Sequence, residues 1–265
     1  MFQFKFFQVT TFKNYLKIFR WQKRLNHNKS QIIYYFGENF DSRSTQFIEK
    51  LEALTLKSRK ECENEVKLCS NLIYHYASVC DKSVGDVKDT TEYGYLMELS
   101  EPLGVIAIIC GHDSENKFPL LTFILHFVSA LAYGNTVVIV PDEKMPVPAL
   151  DLYEIFECSD MPDGVVNILT GNKHHLAKHL CEHQVVNSIW YMSDVDKGNY
   201  ASELIAQQFI RYTSGFSLKQ NWLMSSRLQI NEKEMSISDD YLNELYFNST
   251  QSKLVLIPMG TIFAN

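Results

Sequence analysis

The sequence lacks the features that mark several classes of protein. None of its apolar stretches reaches the roughly 20 residues that a membrane-spanning helix needs, since the longest, Phe118 to Tyr133, is shorter and carries His126. A basic excess is also missing, because 25 lysines and arginines stand against 31 acidic residues, whereas nucleic-acid phosphates require a basic surface. These absences predict a soluble globular protein with no membrane and no nucleic acid among its partners.

Paired cysteines are absent as well. The six cysteines form no CxxC motif and no zinc-like spacing with histidine, which indicates reduced thiols in a cytoplasmic protein. Cys62 and Cys69 lie seven residues apart on a predicted helix, where free cysteine packs as a small apolar residue. Core positions are therefore favoured over a metal site for this pair. No cysteine follows Cys181.

Acidic residues are missing from the start of the chain, where none precedes Glu38. A basic, acid-poor start is one mark of a mitochondrial transit peptide, but serine and arginine are sparse in this stretch. We therefore expect residues 1–27 to form an irregular N-terminal extension, and a cytoplasmic location is favoured over a mitochondrial one.

Apolar residues at intervals of three and four predict a helical layer after this extension. Two helices separated near Gly37 to Asp41 fit the spacing from Asn28 to Thr55, and a third fits Glu61 to Cys80. The pattern then becomes extended from Tyr93 to Glu101.

Short apolar runs alternate with helical segments along the next part of the chain. Uninterrupted apolar strands are typical of parallel sheets, which are buried on both faces. The alternation predicts right-handed βαβ units and a doubly wound parallel sheet of the α/β class. The predicted strands are Gly104 to Cys110, Thr136 to Val140, Val165 to Leu169 and Val186 to Met192, and the predicted helices are Phe118 to Tyr133, Pro146 to Phe156 and His174 to Glu182.

A sheet of this kind binds ligands outside the carboxyl ends of its strands. The candidate site therefore consists of four loops, Gly111 to Pro119, Pro141 to Met145, Gly171 to His175 and Ser193 to Gly198. Because the sequence has no GxGxxG motif, a dinucleotide would have to bind without the usual glycine fingerprint.

Four segments carry a family resemblance: EPLGVIAIIC (101–110), ALAYGNTVVIVPDEKMPVPAL (130–150), MPDGVVNILTG (161–171) and SIWYMS (188–193). In this order they resemble the cofactor-binding half of the aldehyde dehydrogenase superfamily. The resemblance is greatest to the second, C-terminal module of aldehyde dehydrogenase family sixteen, which shares AYGNTVV, the pair Trp190-Tyr191 and the SLK-x-x-W ending at Ser217 to Trp222. It implies an NAD-binding domain over residues 28–230 that lacks the glycine fingerprint.

The same resemblance implies a set of cofactor-binding positions. Glu143 corresponds to a ribose hydroxyl acceptor, and Val140 replaces the family's lysine, so NAD is favoured over NADP. The alternative is that Asp142 and Glu143 cap the following helix with negative charge, and both interpretations stay open. The implied cofactor-binding residues are Cys110, Pro141, Glu143, Gly171 and Ser193.

Other residues near these positions disfavour the binding of a pyrophosphate group. Met192 stands where the family has glycine, and Asp194 and Asp196 add negative charge beside it. The segment Lys173 to His175 offers cations to a phosphate, and the alternative is a solvated polar loop.

The residues that catalyse aldehyde oxidation in the family are not present at the corresponding positions of this sequence. Asn116 lies one position away from the family's oxyanion-hole asparagine, and Met224 stands at the position of the general-base glutamate. The nucleophilic cysteine of the family lies some tens of residues further on, where this sequence has none. The resemblance therefore implies a pseudoenzyme without an assigned catalytic residue.

Tyr241 to Pro258 resembles the strand by which aldehyde dehydrogenases join neighbouring subunits, and its run Leu254 to Ile257 favours a strand on its own. Together with the extended segment at about 91–101 it would form a two-part β-extension, reached through an acidic linker at Asn231 to Glu244 within residues 231–265. We expect the catalytic domain to be largely missing. We also expect the protein to form a homo-oligomer, or a hetero-oligomer with a catalytic aldehyde dehydrogenase. The alternatives are an NAD-dependent aldehyde oxidoreductase and an NAD sensor.

Overall fold

The computed structural model describes residues 20–55, 57–82, 85–90, 94–111, 118–193, 200–225, 230–231 and 236–258. Among these residues, no helix combines the length and the apolar composition needed to cross a membrane. In chain order the elements are α1 (Asn26–Ser42), α2 (Ser44–Leu54), α3 (Arg59–Val79), β1 (Asp86–Thr90), β2 (Gly94–Pro102), β3 (Val105–Ile109), α4 (Pro119–Ala132), β4 (Thr136–Val140), α5 (Val147–Cys158), β5 (Val166–Ile168), α6 (Lys173–Glu182), β6 (Ser188–Ser193), α7 (Tyr200–Ser217), β7 (Gln220–Ser225), β8 (Ile230–Asn231), β9 (Ser236–Ile237), α8 (Asp239–Ser249) and β10 (Thr250–Pro258).

The predicted doubly wound parallel sheet is confirmed. Its strands lie in the order β5, β4, β3, β6, β7, and every neighbouring pair is parallel. All five residues of β3 are buried, as the uninterrupted apolar run predicted. Successive side chains of a strand point to opposite faces of the sheet. Ile106 and Ile108 therefore enter a larger core with α4, α5 and the N-terminal helices, whereas Val105, Ala107 and Ile109 enter a smaller core beneath α6 and α7.

The N-terminal helical layer differs from the prediction in one place. We expected a break near Gly37 to Asp41, but α1 continues through this stretch and ends at Ser42. A Cβ atom at Gly37 would lie 2.9 Å from Cε1 of Tyr74 and 3.1 Å from Cγ2 of Ile73. The glycine thus permits close packing of α3 against α1 and does not interrupt the helix.

Most of the predicted extension, residues 1–19, lies outside the described residues. Trp21 belongs to the remaining part and is buried, with its indole Nε1 donating to the carbonyl oxygen of Leu131 at 3.3 Å. This contact attaches the chain preceding α1 to the end of α4.

A second, antiparallel sheet contains β1, β2 and β10 in that order. The strand predicted at Leu254 to Ile257 is therefore present, and it begins earlier, at Thr250. It pairs with β2 over nine residues, so the two predicted parts of the β-extension belong to one sheet. At one end this sheet contacts the rest of the protein through the hydroxyls of Ser100 and Tyr246, which lie 2.5 Å apart.

The acidic linker predicted at Asn231 to Glu244 is wrong in its second half, because α8 begins at Asp239. Ser238 caps this helix by accepting a hydrogen bond from the Tyr241 amide, and Asp239 and Asp240 place negative charge in its first turn. Leu245 of α8 is buried in the larger core. The segment between β7 and β10 is therefore partly a packed helix.

Candidate cofactor site

The carboxyl ends of the central strands meet at one edge of the sheet, where the sequence predicts the ligand site. The chain leaves β3 toward α4 on the larger-core face, and it leaves the neighbouring β6 toward α7 on the opposite face. Open α/β sheets bind ligands where connections diverge in this way. Residues 112–117 and 194–199 of the predicted loops, and with them Asn116, Asp194 and Asp196, lie outside the described residues.

Glu143 follows β4 and directs its exposed carboxylate at the N-terminus of α6. It accepts a hydrogen bond from the backbone N–H of Lys173 at 3.3 Å and longer ones from Nδ2 of Asn172 at 3.4 and 3.5 Å. Asp142 is buried and accepts from the Lys144 amide at 2.9 Å. Negative charge is favourable at a helix N-terminus. Glu143 therefore caps a helix, but α6 and not the following helix α5, while its ribose role stays a prediction.

Lys173, the first residue of α6, is 5% exposed. Its Nζ lies 3.2 and 3.4 Å from the carboxylate oxygens of Glu203 and 4.6 Å from the ring centre of Tyr191. The Tyr191 hydroxyl donates to Glu203 Oε2 at 2.9 Å, and Nε2 of His174 lies 3.5 Å from Glu203 Oε1. The solvated loop expected at Lys173 to His175 is therefore wrong for Lys173, which begins a helix and is neutralised by a buried carboxylate.

Two further predicted positions also have partners or constraints within the chain. Ser193, at the end of β6, accepts a hydrogen bond from Nε2 of Gln207 on α7. Gly171 has a φ of +148°, and a Cβ atom there would meet Leu176 only at 3.5 Å, so the backbone conformation and not crowding favours glycine. Met192 is buried in the larger core and does not project from the edge of the sheet.

Cys110 and Pro141 border a small cleft between the ends of β3 and β4 and the first turns of α4 and α5. Its volume of about 20 Å³ accommodates about one water molecule. Ligand pockets of proteins generally offer roughly 300–1,000 Å³. Burial and the neighbouring Asp142 carboxylate raise the pKa of Cys110 to about 12, so this residue is a neutral thiol at physiological pH.

All six cysteines lie within the described residues, and each is a free thiol. Cys62 and Cys69 are fully buried, which confirms their predicted core positions. Burial also raises the pKa of Cys80 and Cys181 to about 12. The exposed Cys158 ends α5, which runs back from the carboxyl edge of the sheet to the opposite edge. The described part of the chain thus brings no exposed thiol to the candidate site.

Met224 lies at the end of β7, beside Met192 of β6. Its sulfur is 3.5 Å from the hydroxyl of Tyr241 on α8, which also lies 2.8 Å from Nε2 of the buried His126. Nδ1 of His126 lies 2.5 Å from the Thr122 carbonyl oxygen, which can only accept, so Nδ1 carries the proton and Nε2 accepts from Tyr241. Helix α8 therefore covers the position where the family resemblance places a general base.

Glu65, which no sequence motif indicated, is completely buried on α3. One carboxylate oxygen lies 2.6 Å from Nζ of Lys57, and the other accepts from the backbone N–H groups of Leu120 and Leu121 at 2.9 and 3.2 Å. Desolvation raises the pKa of Glu65, and the ammonium of Lys57 acts in the opposite direction. Its position among the apolar residues of α3 was the available signal, since an acid on a buried face requires a partner.

The described residues do not fit an NAD or NADP molecule in this conformation. Lys173 is paired, the helix N-terminus at Glu143 already has a carboxylate, and the cleft at Cys110 is too small for a nucleotide. Glu203, which completes this arrangement, gave no signal in the sequence, because an acid in the first turn of a helix is ordinary. Among the described residues, no three histidine, cysteine or acidic side chains converge as a metal site.

Known proteins match this chain in sequence. The pattern of the aldehyde dehydrogenase family matches residues 11–233. The NADP/NAD-dependent aldehyde dehydrogenase PuuC of Escherichia coli K12 is 30% identical over 165 residues, which are 62% of this chain and 31% of that protein. The alpha-ketoglutaric semialdehyde dehydrogenase of Bacillus subtilis 168 is 26% identical over 193 residues, which are 72% of this chain and 39% of that protein.

The fold also matches solved structures. The crystal structure of an NAD-dependent benzaldehyde dehydrogenase from Corynebacterium glutamicum aligns with a TM-score of 0.65 and 22% identity, covering 78% of this chain and 43% of that one. The present chain therefore shares the fold of this structure, and it spans less than half of the length of each of these three proteins.

Proposed function

This chain belongs to the aldehyde dehydrogenase family, and from that premise we propose that it is a catalytically inactive member that acts in subunit association. Within the family we place it with the second, C-terminal module of family sixteen. The segment AYGNTVV, the pair Trp190-Tyr191 and the ending at Ser217 to Trp222 support this assignment.

The antiparallel sheet carries the proposal. On one of its faces Val87, Met97 and Val255 lie side by side across the three strands, and Tyr95 and Ile257 form the adjacent row. Val87 is 65% exposed, and Tyr95 and Ile257 are each 47% exposed. These side chains belong to neither core of the described residues. An apolar sheet face open to water favours association with another subunit.

A second apolar surface lies on α7. Ile205, Tyr212 and Phe216 are 66%, 70% and 75% exposed, and their spacing of seven and four residues places them on one face of the helix. The rings of Tyr212 and Phe216 contact each other, with centroids 4.9 Å apart. Two separate apolar surfaces support a role in an assembly.

The chemistry of the site supports the absence of catalysis. Aldehyde oxidation needs a thiolate nucleophile and a base that activates water. The sequence has no cysteine after Cys181, and Met224 has a thioether where the resemblance places the base. The partner would be a second copy of this chain or a catalytic aldehyde dehydrogenase.

Sedimentation velocity of the full chain tests the association. We expect the wild-type protein to sediment as a dimer or larger species and Ile257→Lys to sediment as a monomer, because the new charge would be buried in the interface. Ile257 is 47% exposed on the apolar face of the sheet, and Leu54→Lys, at an exposed position of α2, is the matched control. A wild-type protein that is a monomer both alone and with a catalytic aldehyde dehydrogenase would contradict the proposal.

An NAD-dependent aldehyde oxidoreductase is the second candidate. The retained Glu143, Gly171 and Ser193 favour it, because the resemblance assigns these positions to the cofactor. Purified protein would then reduce NAD in the presence of simple aldehydes, with an increase in absorbance at the nicotinamide band that thiol alkylation abolishes. We expect no such increase above the rate without protein.

A further inference from the structure

The space between the first turns of α6 and α7 contains a compact cluster of three buried residues, Lys173, Glu203 and Tyr191. Lys173 starts α6, Glu203 lies in the first turn of α7, and Tyr191 comes from β6 between them. Their exposed fractions are 5%, 3% and 0%. The cluster therefore connects two helices and a strand at the carboxyl edge of the sheet.

The three groups satisfy one another. Lys173 Nζ reaches both oxygens of Glu203, at 3.2 and 3.4 Å, and lies over the Tyr191 ring at 4.6 Å. The Tyr191 hydroxyl donates to Glu203 Oε2 at 2.9 Å, and the ring nitrogens of His174 approach Tyr191 at 3.4 Å and Glu203 at 3.5 Å. A buried cation that already has a carboxylate and an aromatic ring offers little to an incoming phosphate.

The backbone near the cluster is also engaged. The N-terminus of a helix attracts anions because its first N–H groups have no partners within the helix. In α6 the Lys173 N–H donates to Glu143, and the His175 N–H donates to the side chain of Asn172 at 3.1 Å. Glu143 also presents a negative charge to any phosphate that approaches this end of α6.

We infer that Lys173, Glu203 and Tyr191, together with Glu143, take the place of a bound dinucleotide in this protein, so that the α6–α7 cleft is a permanent internal contact and binds neither NAD nor NADP. The cluster connects α6, α7 and β6 through contacts among this chain's own side chains. This inference stands independently of the proposed association.

Thermal unfolding of the full chain with NAD or NADP tests the closed cleft. At about 1 mM, a nucleotide with a Kd below about 0.1 mM would raise the unfolding midpoint by a few degrees. We expect no shift with either nucleotide, and calorimetric titration should give only heats of dilution. A reproducible upward shift or a saturating heat with either nucleotide would overturn the inference.

A double-mutant cycle tests the contact itself. Lys173→Met and Glu203→Met each leave one buried charge without its partner, whereas the double variant removes both charges. We expect the double variant to unfold at a higher temperature than either single variant. A double variant whose loss equals the sum of the single losses would contradict the inference. The matched control is the cycle on Lys50 and Asp151, a partly exposed pair 2.5 Å apart, for which we expect additive effects.

Hydrogen exchange of the wild-type chain provides a second measurement in case the single variants do not fold. We expect the amides of α6 and α7 to have the same protection with and without NAD. Slower exchange of these amides on addition of NAD would show that the cleft accepts the nucleotide, and the inference would fail.

Discussion

The carboxyl edge of the parallel sheet and the antiparallel sheet both contain lysine–glutamate pairs, but the pairs lie in opposite environments. The Lys173 and Glu203 side chains are 6% and 4% exposed, whereas those of Lys88 and Glu98 are 57% and 30% exposed. Apolar side chains show the reverse, since Val87 and Leu256 are open to water while Met192 is buried. In the region that the family resemblance assigns to a ligand, the described charged pair is thus buried within the chain, and in the region that it assigns to neighbouring subunits, apolar side chains are open to water.

The largest difference between the two regions should appear when one acid is removed from each. Glu65 of α3 is fully buried and its carboxylate reaches the N-terminus of α4, so Glu65→Ala leaves Lys57 and two backbone N–H groups without their carboxylate, at a cost of about 3 to 5 kcal/mol. Urea denaturation monitored by tryptophan fluorescence measures this loss. Glu98→Ala in the antiparallel sheet is the control, and we expect no measurable change, because the pair is screened by water. Equal losses of stability in Glu65→Ala and Glu98→Ala would contradict the prediction.

Lowering the pH should reduce the stability of the folded protein through the buried His126. Burial lowers the pKa of His126 to about 4, below the value of about 6.5 in an unfolded chain. Between these values the unfolded state binds more protons, so the stability present above about pH 6.5 falls as the pH drops toward 4, by up to about 3 kcal/mol. Denaturation of wild type and His126→Gln across this window should show a smaller pH dependence in the variant. The exposed His175→Gln is the matched control, and an unchanged slope in His126→Gln would contradict the prediction.

The smallest effect concerns Gly171, which the resemblance assigns to the cofactor. Its φ of +148° is unfavourable for residues with a Cβ atom, so Gly171→Ala should destabilise the protein by about 1 kcal/mol. Thermal unfolding measures the loss, which should be the same with and without NAD. A larger loss in the presence of NAD would instead indicate that this glycine serves the nucleotide.

Much of the fold was predictable because its elements depend on local patterns. The apolar run at Thr136 to Val140 gave the strand limits that the structure shows, and α3 and α4 differ from their predicted bounds by one or two residues. The break expected near Gly37 failed because a glycine in a helix has two explanations, a helix end or a close neighbour, and only the position of Tyr74 distinguishes them. The division of the chain into domains stays a prediction.

The candidate site was less predictable, since its side chains come together over long separations. Glu143, Gly171 and Ser193 were found from motifs, but their present partners were not, because hydrogen bonds to Lys173 and Gln207 depend on how helices pack. No sequence motif indicated Glu203 or Tyr241. Their importance follows from burial beside Lys173 and His126.

The sequence by itself determined the class of fold, the order of the strands and helices from β3 to β6 and the absence of a cysteine after Cys181, because periodicity and composition are properties of neighbouring residues. Only the tertiary structure decided whether the charged residues at the edge of the sheet face a ligand or one another. Desolvation makes an unpaired buried charge costly, so the pairing of Lys173 with Glu203 is settled by packing and cannot be read from either residue alone.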